Sequence, residues 1–250
     1  MKLSFLDKLL FLFVGLLNKF FDLYAKGNKR PVIFDIDASY PSLNSLTENY
    51  QLILDEYQKV AEKYTIAAYH DLSPDQHEIS GKYQPEKKWK VFIINGTGRF
   101  TPEGLEDCPE TCNLLQNIPG LFHATFSTLE PGKYVPPHEG PYRGYIRYHL
   151  CLRAPENNPP YIRVHDQYHT WKAGNAVLFD DTWEHEVYNE ASEERTVMMV
   201  DVMRPMPWFP TLVNKFIRDF IIRPFYGLKT MRMQTRTLNQ LAKPEDKVHA

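Results

Sequence analysis

The sequence contains few cysteines, little net charge and no long uninterrupted apolar run. Its 250 residues include three cysteines, and the formal net charge is −2. Such a small charge excludes the strong basic field through which many proteins attract nucleic acid. The longest uncharged run near the start, residues 9–18, is much shorter than the about 20 residues that a membrane-spanning helix needs. Prolines outnumber glycines by 19 to 12, which favours a fold rich in loops and strands.

The cysteines indicate reduced thiols and no metal site. Cys108 and Cys112 could pair in an oxidising compartment. No cleavable signal peptide is expected, however, because Asp7 and Lys8 interrupt the first apolar stretch. We therefore expect a cytosolic protein with free thiols. The Cys-x-x-x-Cys spacing lacks a second pair of ligands, so it does not predict a zinc site.

Residues 1–30 are predicted to form a membrane-associating segment that ends in a polar, basic hinge at 27–30. On a helical wheel the polar and small residues share one side, and Leu, Phe and Val dominate the rest. This pattern is typical of a helix lying in a membrane interface. The alternative is a helix docked on the protein's own core. The polar side comprises Ser4, Asp7, Lys8, Gly15, Asn18, Lys19, Asp22 and Lys26.

Residues 206–250 are predicted to form a second amphipathic, basic segment, with a disordered tail after Leu238. Between Arg204 and Arg236 basic residues outnumber acidic ones by seven to one, and Trp208, Phe209, Phe225 and Tyr226 flank the helix. This composition suits an anionic lipid surface, with a dimer contact as the alternative. The predicted apolar face is Leu212, Val213, Phe216, Ile217, Phe220 and Ile221, and the polar face is Asn214, Lys215, Arg218 and Asp219.

Residues 31–205 are predicted to form one barrel domain of mainly β (α+β) class. A capping box at 45–48 precedes a helix with apolar residues at helical spacing, whereas 66–90 is polar and loop-like. Strands are predicted at 89–95, 124–129, 145–152, 161–165, 176–179, 186–188 and 195–202, separated by turn signals. Many short strands of this kind predict a double-stranded β-helix, the jelly-roll or cupin-like barrel, with supporting helices.

Polar residues on inward strand faces indicate the chemistry. Alternation along 145–152 places Arg147 and His149 on one face of a strand. Burying such groups is costly unless they hold something polar or anionic. His138 and His185 stand at strand edges, and Arg195 begins another apolar strand. Two histidines with nearby arginines predict a metal and an anionic cosubstrate inside the barrel.

Three motifs carry a resemblance to a known family. The chain reads P-H-E-G-P-Y-R-G-Y-I-R-Y-H-L-C-L, then W-K-A-G-N-A-V-L-F-D-D-T-W-E-H-E-V-Y-N, then R-T-V-M-M-V-D-V-M-R-P. From about residue 45 to 205 it resembles the aspartyl/asparaginyl β-hydroxylases, iron(II)- and 2-oxoglutarate-dependent dioxygenases. Within them it is most similar to the bacterial branch that hydroxylates acyl chains of lipid A. Non-haem iron(II) oxygenases commonly have a carboxylate ligand two residues after the first histidine, whereas the resembled family works without one, and here that position is Gly140.

The resemblance implies a role for each candidate residue. His138 and His185 would be the catalytic iron ligands, without a carboxylate. Arg195 and Ser127 would bind the distal carboxylate of 2-oxoglutarate, and Arg147 with His149 would hold its metal-chelating end. O2 would be the second cosubstrate. One of Asp180, Asp181, Glu184 and Glu186 would orient an imidazole, and Glu139 or Asp181 would be the carboxylate ligand if one exists.

The resemblance leaves the substrate open. One branch of the family hydroxylates protein side chains, and another hydroxylates membrane lipids at the cytoplasmic face of the inner membrane. The two terminal segments favour a fatty acyl chain of a membrane lipid, with lipid A as the specific prediction. A protein or peptide substrate and a non-enzymatic cupin-like binding barrel are the alternatives.

Overall fold

Two antiparallel β-sheets form the centre of the protein in a computed structural model. The structure describes the backbone of residues 5–241 and the side chains of residues 12–241, apart from that of Phe225. Ser4, Asp7 and Lys8 of the predicted polar side therefore lie outside the described side chains. The strands are β1 Ile33–Phe34, β2 Trp89–Gly96, β3 Leu121–Leu129, β4 Tyr134–His138, β5 Tyr145–Arg153, β6 Tyr161–Val164, β7 Gln167–Thr170, β8 Ala176–Phe179, β9 His185–Tyr188 and β10 Arg195–Met203.

The strand order is that of a jelly roll. The larger sheet has the order β1-β8-β5-β10-β3-β2, and the smaller has the order β4-β9-β6-β7. Chain neighbours such as β3 and β4 thus lie in opposite sheets, as in a double-stranded β-helix. The predicted fold class is confirmed.

The predicted alternation along β5 is also confirmed. Ile146, Tyr148 and Leu150 pack in the core between the larger sheet and the helices outside it. Arg147 and His149 point to the opposite face, between the two sheets. The register pairs His149 with Met199 of β10 and with Val177 of β8. One strand therefore supplies both core residues and pocket residues.

Short helices cover the outer face of the larger sheet. The α-helices are α1 Phe5–Ala25, α2 Ile36–Ser39, α3 Asn44–Glu48, α4 Tyr50–Lys63, α5 Tyr69–Leu72, α6 His77–Ser80, α7 Pro102–Asp107, α8 Pro109–Gln116, α9 Trp208–Ile217 and α10 Leu228–Leu241. Helix α4 is the predicted amphipathic helix, and its Tyr57 ring lies 5.2 Å from that of Phe126 on β3. The three cysteines are buried with free thiols.

Three local predictions were wrong. Ser45 does not cap α4, because it lies inside α3, and α4 begins only after Asn49. The stretch 66–90 contains α5 and α6 rather than only loop. Residues 134–138 form strand β4, whereas Pro136 and Pro137 predict a loop that carries His138. The prolines are tolerated because β4 is an edge strand, and its pairing with β9 is irregular between Val135 and His138.

The chain beyond the barrel is helical as far as it is described. Residues Arg218–Gly227 form a π-helical stretch between α9 and α10. Helix α10 extends to Leu241, so residues 239–241 are not a disordered tail; residues 242–250 lie outside the description. Gln234 of α10 binds both the amide and the carbonyl of Ile93 on edge strand β2, at 2.5 and 2.8 Å. No helix within residues 5–241 combines the length and the apolar character needed to span a bilayer.

Candidate active site

His138 and His185 face each other across the pairing of β4 with β9. They are direct register partners, and their ring centroids are 4.1 Å apart. The Nδ1 of His138 lies 2.8 Å from the Pro136 carbonyl, and the Nδ1 of His185 lies 3.0 Å from the Trp183 carbonyl. A carbonyl can only accept, so each ring carries its hydrogen on Nδ1 and keeps the Nε2 lone pair available.

Burial keeps both imidazoles uncharged. It lowers the pKa of His138 to about 4, and the nearby Arg147 guanidinium acts in the same direction. The pKa of His185 is held well below its usual value by burial and by the adjacent His138 ring. Neutral imidazoles with free Nε2 atoms have the protonation state that metal binding requires.

All six predicted site residues line one pocket between the sheets. Its polar part is Ser127, His138, Arg147, His149, His185 and Arg195, and its remaining walls are Trp89, Val135, Ile162, Val187 and Met199. The structure thus brings together the six predicted residues, which come from five different strands.

Arg195 is a buried cation without a protein counter-ion in the described part of the chain. Its side chain lies over the Trp171 ring at 4.2 Å, and its Nε and Nη1 atoms have no hydrogen-bond partner. Burial lowers its pKa to about 10, so the guanidinium is still charged at neutral pH. Nearby Ser127 accepts a hydrogen bond from Trp89 Nε1 at 2.9 Å, which leaves the hydroxyl hydrogen for a ligand. An uncompensated buried guanidinium of this kind is matched by an anionic ligand.

His149 is the second group with unsatisfied hydrogen-bonding capacity. Both ring nitrogens are buried and have no partner among the described residues. Its ring lies between Trp171, at 6.0 Å, and Phe179, at 5.0 Å. Burial and the neighbouring Arg195 charge hold its pKa well below the usual value. A neutral imidazole in this position offers one donor and one acceptor to a bound molecule.

Arg147 is paired more extensively than the sequence suggests. Its Nε and Nη2 donate to the two oxygens of Asp201 at 2.7 and 2.9 Å, and its Nη1 lies 3.1 Å from Asp181. Of the five N–H bonds of a guanidinium, these contacts use three. The remaining two are available to a cosubstrate, but two carboxylates already neutralise the charge of Arg147.

The prediction that an acidic side chain near His185 orients an imidazole was wrong. The backbone carbonyls of Pro136 and Trp183 orient the two rings instead. Asp180 forms a buried ion pair with Arg30 at 2.9 Å and another with Arg204 at 2.8 Å. Arg30 also lies 3.7 Å above the Trp183 ring. Arg30 therefore does not belong to a solvated hinge. It fixes the turn that leads into His185, a role with no signal in the sequence.

The two carboxylates named as potential ligands lie apart from the histidines. Asp181 accepts from Tyr145 at 3.1 Å and pairs with Arg147, and Glu139 is exposed. Glu184 and Glu186 pair with Arg163 of β6. Within residues 12–241, no three His, Cys, Asp or Glu side chains group closely enough to hold a metal together.

The donors that are present fit an iron(II) ion with 2-oxoglutarate. Two free Nε2 atoms would supply nitrogen ligands. A buried, uncompensated guanidinium and a serine hydroxyl would receive a carboxylate. Sequence reasoning missed the contributions of Trp89 and Trp171, which position Ser127 and Arg195. Neither tryptophan lies in a pattern that sets it apart from a core residue.

Comparisons with known proteins agree with this arrangement. Residues 47–205 match the family model described as aspartyl/asparaginyl beta-hydroxylase. The ornithine lipid ester-linked acyl 2-hydroxylase of Rhizobium tropici is 37% identical over 206 residues, which cover 81% of this chain and 71% of that protein. The human aspartyl/asparaginyl beta-hydroxylase is 32% identical over 175 residues, which cover 68% of this chain but only 22% of that protein.

A solved cupin domain from an Enterobacter cloacae transcriptional regulator is a structural neighbour. It has a TM-score of 0.31 and 15% identity, and the match covers 47% of this chain and 98% of that one. That likeness is too distant to bear on function, whereas the match to the family model spans most of the barrel and both histidines. The chain belongs to the aspartyl/asparaginyl beta-hydroxylase family.

Proposed function

We propose that this protein is an iron(II)- and 2-oxoglutarate-dependent dioxygenase that hydroxylates a fatty acyl chain of a membrane lipid. One observation supports the lipid substrate above the others. The exposed faces of α1 and α9 are mostly apolar, whereas Asn18, Asp22 and Asn214 turn toward the barrel. The similarity to a lipid acyl 2-hydroxylase supports the same choice.

The outer apolar surface consists of exposed residues on adjoining helices. Its members are between 46% exposed, for Phe209, and 78% exposed, for Leu23 and Trp208. The Phe20 and Phe209 rings lie 6.2 Å apart and join α1 to α9. So large an exposed apolar patch is unusual for a surface that faces only water. The outer apolar surface comprises Leu12, Leu16, Leu23, Trp208, Phe209, Leu212, Phe216 and Phe220.

Exposed basic residues accompany this surface. Lys19 of α1, Lys26 just after α1 and Lys215 of α9 are all exposed. Apolar side chains would enter the interfacial layer, and the ammonium groups would meet anionic headgroups. Free, buried thiols suit the reducing side of the membrane. We therefore assign the protein to the cytoplasmic face of the plasma membrane.

The chain's own residues would perform binding, orientation and exclusion of water. His138 and His185 would hold iron(II) through Nε2. Arg195 and Ser127 would bind the distal carboxylate of 2-oxoglutarate, and His149 with the free N–H groups of Arg147 would orient its other end. Iron, 2-oxoglutarate and O2 together supply the oxidation that converts an acyl C–H to C–OH, with succinate and CO2 as coproducts. Val135, Ile162, Val187 and Met199 would keep water from the pocket.

The test is mass spectrometry of lipids from cells with and without the protein. We expect an acyl chain to gain one oxygen, and we expect this gain to disappear in His185→Ala. His77→Ala, which removes an exposed histidine, is the matched control. Both lipid A and ornithine lipid should be measured.

Purified enzyme separates failure of the substrate proposal from failure of the chemistry. An unchanged lipid profile with intact 2-oxoglutarate turnover would direct the search to protein or small-molecule substrates. Normal succinate production by His138→Ala or His185→Ala would overturn the metal assignment. Failure of the wild-type protein to consume 2-oxoglutarate with iron and a membrane extract would favour a non-enzymatic binding barrel.

A further inference from the structure

The segment that follows His138 is held by the two helices that carry the outer apolar surface. Residues 139–144 connect β4, which ends at His138, to β5, which carries Arg147 and His149. We call this segment the 139–144 loop. Its position therefore affects pocket residues at both of its ends.

Helix α1 binds the loop through its polar residues. The Asn18 side chain donates to the Pro141 carbonyl and accepts from the Arg143 amide, both at 2.9 Å. Asp22 forms an ion pair with the Arg143 side chain. Both functional groups of Asn18 are thus used on the loop backbone. Asn18 and Asp22 share one side of α1, as the helical wheel predicts, and that side contacts the protein itself.

Helix α9 binds the same loop from another direction. Asn214 is completely buried, accepts from the Tyr142 hydroxyl at 2.7 Å and donates to the Gly144 carbonyl at 2.5 Å. The helical wheel grouped Asn214 with Lys215, Arg218 and Asp219 on one polar face, but Asn214 is buried whereas Lys215 is exposed. Both the nitrogen and the oxygen of this buried amide are bonded to the loop, so a shift of the loop would leave buried polar groups without partners.

Apolar packing adds to these contacts between the two helices and the 139–144 loop. Phe21 of α1 is fully buried and meets the Tyr142 ring edge to face at 5.7 Å. Ile217 of α9 belongs to the same buried cluster. Both helices therefore present apolar residues on two sides: one side packs on the loop, and the other forms the outer apolar surface.

We propose that Asn18 and Asn214 are positioning residues that tie the 139–144 loop, and through it His138, to the membrane-facing helices. This inference rests on the proposed function, because it takes His138 as a metal ligand. It adds that the two terminal segments do more than anchor the protein. They also hold the metal site in its working geometry.

The first measurement is hydrogen exchange of the 139–144 backbone in metal-free protein, without lipid. Asn18→Ala removes the acceptor for the Arg143 amide, so we expect exchange in the loop to become at least about tenfold faster. Asn18→Asp keeps that acceptor and should have a smaller effect. Asn113→Ala is the matched control, since Asn113 is exposed on α8 and its side chain contacts only Gln116. Unchanged hydrogen exchange of the loop in both Asn18→Ala and Asn214→Ala would overturn the proposal that these asparagines hold the loop.

The second measurement is the affinity of the metal-free protein for Co²⁺, determined from the absorption of the bound ion. We expect about tenfold weaker binding in Asn18→Ala and Asn214→Ala, the size typical of lost outer-shell support. A lower melting temperature with wild-type Co²⁺ affinity would reduce the asparagines to a structural role and overturn the proposal. If wild-type protein binds no Co²⁺, the proposed function fails instead, and the exchange result stands apart from it.

Discussion

Gly140 and Asp181 touch so closely that position 140 has no room for a side chain. The Gly140 amide donates to the Asp181 carbonyl at 2.8 Å, and a Cβ at position 140 would lie 2.4 Å from Asp181 Oδ2. That carboxylate is held by Tyr145 and Arg147, so it cannot easily move away. Position 140, two residues after His138, is thus closed to a side chain by a neighbouring carboxylate.

Gly140→Ala should therefore impair the site although alanine is small. We expect a loss of at least about tenfold in 2-oxoglutarate turnover, because the Cβ must displace either Asp181 or the segment next to His138. Gly15→Ala is the control, since no atom lies within 4 Å of its added Cβ and alanine favours a helix. Equal turnover in the two variants would show that the loop adapts without cost.

Arg195→Met should change stability and cosubstrate binding in opposite directions. Removing a buried, uncompensated charge should stabilise the ligand-free protein by about 1 to 3 kcal/mol. Loss of the charge-assisted hydrogen bonds should raise the KM for 2-oxoglutarate by about 100-fold. Thermal unfolding and steady-state kinetics measure the two effects.

Arg163→Met provides the contrast. Arg163 is paired with Glu184 and Glu186, so its removal should lower stability and leave the KM unchanged. A destabilised Arg195→Met protein with an unchanged KM would contradict the assignment of Arg195.

The outer apolar surface should control membrane binding. In Trp208→Ser/Phe216→Ser/Phe220→Ser we expect at least about tenfold weaker co-sedimentation with phosphatidylglycerol vesicles, since each aromatic side chain loses apolar burial. Tyr83→Ser/Tyr168→Ser, which removes exposed aromatic residues elsewhere, is the control. A wild-type dimer that dissociates in the triple variant, with vesicle binding unaffected, would assign the surface to a dimer contact.

Stability should fall as the pH decreases from 7 to 5, partly because of His123. Burial lowers the pKa of His123 to about 4 in the folded protein, whereas the ordinary value is 6.5. Between these values the unfolded chain binds a proton that the folded chain does not, so acid favours unfolding. At pH 5 the protonation of His123 in the unfolded chain should lower the free energy of unfolding by about 2 kcal/mol relative to neutral pH.

Urea unfolding at pH 7 and pH 5 measures this contribution. His123→Gln should reduce the difference in free energy of unfolding between the two pH values, while His77→Gln should not. An unchanged difference in His123→Gln would place the acid sensitivity in other groups, such as His149.

Much of the barrel could be predicted from local patterns. The strand containing Arg147 and His149 alternates cleanly, because its two faces meet different surroundings, and six more strands were predicted close to their observed bounds. Strand β4 was missed because Pro136 and Pro137 conceal an edge strand. The predicted capping box was wrong because residues 45–48 are part of a separate short helix before α4.

The sequence by itself determined the barrel class, the family and the six residues that meet in the pocket, because strand alternation and contiguous motifs are local properties. Only the tertiary structure decided which partners the charged and polar groups take. Asp180 pairs with Arg30 and Arg204, and Arg147 with Asp201, across separations that no periodicity reveals. For the same reason a helical wheel separates the polar and apolar sides of α1 and α9 but does not show which side packs on the barrel. Asn18 and Asn214 turn inward because the backbone of the 139–144 loop offers them hydrogen bonds, and leucine and phenylalanine are left outside.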